Sequence, residues 1–86
     1  MRKDIEKLIN QIQVLAIQIS TRTKHDVFLR YYGHVNAINV GIKMNGHNSD
    51  SPEEKICDMY MDYLTNTEIK TELKKTKRIL EELRRK

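Results

Sequence analysis

Residues 51–64, SPEEKICDMYMDYL, decide the fold of this 86-residue chain. Read as a helix, the stretch has Ser51 as N-cap, Pro52 at the first position and Glu54 at capping-box spacing. Ile56, Cys57, Tyr60, Met61 and Leu64 then share one face. Read as a strand, it turns Cys57, Met59, Met61 and Tyr63 one way and Asp58, Tyr60 and Asp62 the other. What lies upstream tips the choice. A lone hairpin is marginal in water and a third strand would complete a sheet, so residues 56–62 are read as strand, with the helix as the rival.

That upstream hairpin is VFLRYYGHVNAINVGIKMNG, residues 27–46. Its alternation predicts strands over 26–32 and 36–44. Val27, Leu29 and Tyr31 share a face, as do Ile38, Val40, Ile42 and Met44. Matching those faces pairs Tyr31 with Ile38, Leu29 with Val40 and Val27 with Ile42. On the opposite side Phe28 then meets Gly41, Arg30 meets Asn39 and Asp26 meets Lys43, with an opposite charge in the last pair. Gly33-His34-Val35-Asn36 makes the connection, and Gly33 is the residue expected to take a positive φ.

Outside the sheet region the period changes. Ile5, Leu8, Ile12, Leu15 and Ile19 step by three and four, a heptad seam on a helix over 2–20. Asp4 and Glu6 suit its start, and Ser20-Thr21-Arg22-Thr23 should end it. Ile69, Leu73, Thr76, Leu80 and Leu83 repeat the pattern on a helix over 66–85, with Thr65 and Glu68 at capping-box spacing. The predicted fold is α+β, one domain over 1–86, in the order α-β-β-β-α. The two seams fit core packing within one domain, or a homo-oligomer. Assembly is expected because a chain this short has little surface to bury.

Net charge is +4, unevenly spread. Residues 1–25 sum to +3, residues 65–86 to +4 and residues 26–64 to −3. Basic arms flanking an acidic middle suit complementarity within or between chains as well as nucleic acid. The one cysteine, Cys57, excludes an internal disulfide. The segment Ile5–Ile19 is too short and too polar to be a signal peptide core or a membrane span, so no membrane partner and a cytoplasmic location are expected. His25, His34, His47 and Cys57 lack zinc-ligand spacing. No glycine-rich phosphate loop is present. No cofactor, metal or catalytic residue is assigned, and an enzyme is not expected.

The better candidate is the outer sheet face, where Phe28, Tyr32 and Tyr60 stand beside Arg30, Asn39 and Lys43. Aromatic and basic side chains so mixed anchor protein partners or stack on bases. The alternative is that a helix or a second subunit covers this face. His34 and Asn36 mark the hairpin tip, as turn formers or as ligands.

The order helix, DVFLRYYGHVNAINVGIKMNG, acidic loop, short strand and terminal amphipathic helix resembles small uncharacterised accessory proteins of phages and prophages of Gram-positive bacteria. Gly33-His34-Val35-Asn36 is its most particular part. The resemblance implies a third strand, a location inside the host cell and a class that includes inhibitors of host factors and anti-defence proteins. It carries over no site residue. The expected function is non-catalytic: binding and occlusion of a host or defence protein, in an anti-CRISPR-like manner or by sequestering a nucleotide signal. The alternative is a nucleic-acid-binding accessory protein using Lys70, Lys74, Lys75, Lys77, Arg78, Arg84 and Arg85.

Overall fold

Extended backbone from Glu54 to Tyr60 makes the sheet three-stranded. The computed structural model describes residues 2–46 and 50–85. Its elements are α1 (Lys3–Arg22), β1 (Asp26–Tyr32), β2 (Ala37–Lys43), β3 (Glu54–Tyr60) and α2 (Asn66–Arg84), an α+β fold. Single 3₁₀ turns, Gly33–Val35 and Met61–Tyr63, follow β1 and β3.

The sheet is an antiparallel meander in the order β1-β2-β3. β1 and β2 pair as the alternation predicts, from Asp26 opposite Lys43 to Tyr31 opposite Ile38. β3 wins over the helical alternative because Cys57 and Met59 complete the inner face opposite Val40 and Ile38. The ladder slips between Val40 and Gly41, so Ile56 is an extra residue, a bulge that twists this edge. The strand begins and ends two residues before the expected 56–62, because the chain turns at Met61. That turn buries Met61 but swings Tyr63 outward, to 84% exposure, against the inward orientation expected of it. Met44 lies just past β2 and is likewise exposed.

Both helices cover one face of this sheet. Ile5, Ile12, Leu15 and Ile19 of α1 and Ile69, Leu73, Leu80 and Leu83 of α2 are buried in one core with Val27, Ile38, Val40, Ile42, Cys57 and Met59, and Leu8 packs against it. The seam residues therefore pack inside the chain. Folding engages them without a second copy.

Four reversals, one into each strand and one into α2, return α2 to the direction of α1. The polar contacts along their seam show this parallel register. Lys70 pairs with Asp4 at 3.2 Å, Lys77 donates to Gln11 at 3.1 Å and Arg84 to Gln18 at 2.8 Å. Each step is seven residues on both helices, the flanking ladder of a parallel coiled coil. Thr76, the polar member of the α2 seam, is fully buried and donates its hydroxyl to the Glu72 carbonyl at 2.9 Å.

The helix ends follow local hydrogen bonding. Thr65 and Glu68 close a full capping box on α2. α1 runs two residues past the expected Ser20, because Thr21 and Thr23 turn their hydroxyls back onto the carbonyls of Ile17 and Ile19, at 2.8 and 2.7 Å.

Candidate functional site

Neither helix lies on the outer face of the sheet, and the chain covers part of that face with a side chain the sequence reading did not weigh. Gly41 leaves a gap in β2, and the Glu53 carboxylate folds into it, where a Cβ on Gly41 would stand. From there Glu53 accepts two hydrogen bonds from Arg30, at 2.7 and 2.8 Å. These bonds hold the Glu53 carboxyl below the ordinary carboxylate range and raise Arg30. Arg30 also lies 5.2 Å from the centre of the Phe28 ring and donates to Asn39 at 3.4 Å. Asn39 is buried, and Lys43 is half-buried opposite Asp26.

The six candidate residues therefore divide. Phe28, Arg30 and Asn39 form one internal network with Glu53. Tyr32 and Tyr60 stay exposed and flank the small, buried Ala37 in one row across the strands. Phe28 opposite Gly41 is confirmed as a register pair, but the carboxylate fills the space above the glycine. That gap was the one signal in the sequence that could have pointed to Glu53.

The exposed residues converge on one end of the sheet. All four tyrosines of the chain are exposed there: Tyr31 at 49%, Tyr32 at 41%, Tyr60 at 55% and Tyr63 at 84%. Tyr60 and Tyr63 meet edge to face, with ring centres 6.5 Å apart. Tyr31 shares the inner-face alternation of Val27 and Leu29 but lies at the rim of the core, which leaves it open. Val35 and His34 add to this end, and both are exposed.

Asn36 holds the end together. It, and not Gly33, takes the positive φ, at 49°. Its side chain accepts from the Tyr31 hydroxyl at 2.8 Å and donates to Asp62 at 2.9 Å. Its carbonyl accepts from the Met61 amide at 3.0 Å. One residue thus fastens the β1–β2 turn to the β3–α2 turn, and Asn36 is a turn former.

The remaining candidates for chemistry have structural roles. His25 is buried, and its Nδ1 accepts from the Asn45 amide at 3.0 Å, fixing the start of the β2–β3 loop. Burial pushes the Cys57 thiol up, and it has the Thr76 hydroxyl as a hydrogen-bond partner. His47 lies outside the described residues. Among the described residues, no cluster of three or more His, Cys, Asp or Glu could hold a metal ion, and no helix is long and apolar enough to cross a membrane. No protein-family model, curated protein or solved structure matches this chain.

Proposed function

We propose that this chain is a non-catalytic interaction protein of the phage accessory type, acting in the host cytoplasm by binding and occluding a host or defence protein. The tyrosine end is its docking surface. The observation that carries this reading is that all four tyrosines are exposed and gathered at one end. Tyrosine offers large contact area at little entropic cost and is enriched among residues that dominate binding energy. The Asn36 hydrogen bonds pre-organise the surface, which lowers the ordering cost of binding.

The nucleic-acid reading has less support. Three of the seven cations it would use, Lys70, Lys77 and Arg84, bond to α1. The acidic groups Asp58 and Asp62 flank Tyr60 and would repel a phosphate backbone. The test is capture on immobilised protein from a bacterial lysate, run with and without nuclease. Tyr60→Ala with Tyr63→Ala should lose the captured protein, and Lys74→Ala with Lys75→Ala should keep it. Loss with the lysine pair alone would favour nucleic acid.

A further inference from the structure

β3 is an edge strand, and its ladder leaves specific groups unsatisfied by β2. The Met61 amide bonds to the Asn36 carbonyl. Antiparallel alternation then directs the amides and carbonyls of Cys57 and Met59 toward β2 and those of Asp58 and Tyr60 toward the open edge. On the opposite edge the Val27 amide, which points away from β2, is met by the Ser20 hydroxyl at 3.1 Å. Beside the β3 edge runs a groove of about 590 Å³, walled by Asp58, Tyr60 and Tyr63 on one side and by Glu68, Thr71 and Glu72 of α2 on the other. No lysine or arginine lines it, in a chain whose net charge is +4.

We propose that this groove receives an extended, lysine- or arginine-rich segment of the partner protein, which adds to β3 as a fourth strand. The inference rests on the docking surface proposed above and names the chemistry of what docks there. Main-chain hydrogen bonds to Asp58 and Tyr60 supply the pairing, as in other strand additions. The three carboxylates select positive side chains, and the exposed faces of Tyr60 and Tyr63 attract the same cations. Without a partner, an open edge of this kind invites unwanted pairing. The acids bias it against neutral and acidic strands.

The probe is a short fluorescent peptide of alternating lysine and valine, titrated into the full chain. Three peptides are compared: the plain one, one of equal charge with every lysine and valine amide N-methylated, and one with glutamate for lysine. The plain peptide should bind, and the other two should bind at least about tenfold more weakly, a difference of about 1.4 kcal/mol. Amide exchange should slow at Asp58 and Tyr60 on binding, and Glu72→Lys should weaken the plain peptide by a similar factor. Equal binding of the N-methylated peptide, or no binding of the plain one, overturns the proposal. If the peptide fails but the tyrosine variants still lose the captured lysate protein, strand addition falls and the docking surface stands.

Discussion

The Asn36 side-chain amide donates to the Asp62 carboxylate at 2.9 Å, joining two turns that lie 26 residues apart in the chain. The same side chain accepts the Tyr31 hydroxyl, so the tyrosine end is held by a residue that the backbone itself requires in the left-handed region.

Two substitutions separate these roles. Asn36→Ala loses the hydrogen bonds and strains the positive φ, and should cost about 1–2 kcal/mol, the bonds being solvent-exposed. Asn36→Gly keeps the backbone conformation and should cost less. Urea unfolding midpoints rank them, and an equal cost would show that the backbone conformation is not demanding.

Gly41→Ala tests the Arg30–Glu53 pair. The new Cβ meets the Glu53 carboxylate, the movable end of a side chain, so the carboxylate shifts and the fold remains. Both partners are partly exposed, at 38% and 26%, so Gly41→Ala and Glu53→Ala should each cost about 1 kcal/mol or less. The double variant should cost no more than the larger single one, because both remove the same contact. Additive losses in a double-mutant cycle would contradict this.

The fold was legible in the sequence wherever burial repeats with a period. The heptad steps of both helices and the hairpin register follow from which residues must reach the core. β3 was harder, because Cys57, Met59 and Met61 satisfy a strand while Ile56, Cys57, Tyr60 and Met61 satisfy a helix. What decided it was the empty inner-face place opposite Ile38 and Val40, a relation between distant segments. The candidate face was half legible. Alternation put Phe28, Arg30, Tyr32 and Tyr60 on one side, but nothing local shows that Glu53 returns across Gly41 to engage Arg30. Tyr63 was misplaced because period-two reasoning ran on through a 3₁₀ turn.

Leu73 is fully buried at the meeting of α2 with the core. Leu73→Ala should cost about 2–5 kcal/mol by leaving a cavity. Leu73→Asp should unfold the chain, since an unpaired charge has no water there. Circular dichroism checks this directly: a folded Leu73→Asp monomer with full helical signal would contradict the packing.

Stability should fall at both pH extremes, through different groups. Hydrogen bonds from Arg30 lower Glu53, and the Thr65 backbone amide lowers Glu68. Their stabilisation is present above the ordinary carboxyl value of 4.5 and is lost as pH falls through the lowered values. Cys57 is raised by burial, so its contribution is present below the ordinary thiol value of 9.0 and is lost as pH rises through the raised one. Thermal melts against pH should show Glu53→Gln flattening the acid limb and Cys57→Ala the alkaline limb. Unchanged limbs would mean that these groups do not titrate with folding.

The most direct measurement is site-specific photocrosslinking in a bacterial lysate, with a photoreactive phenylalanine replacing either Tyr63 or Lys75. Binding of a protein through the tyrosine end predicts a discrete protein adduct from position 63, unaffected by nuclease, and none from position 75. A nuclease-sensitive adduct from position 75, with position 63 silent, would contradict it.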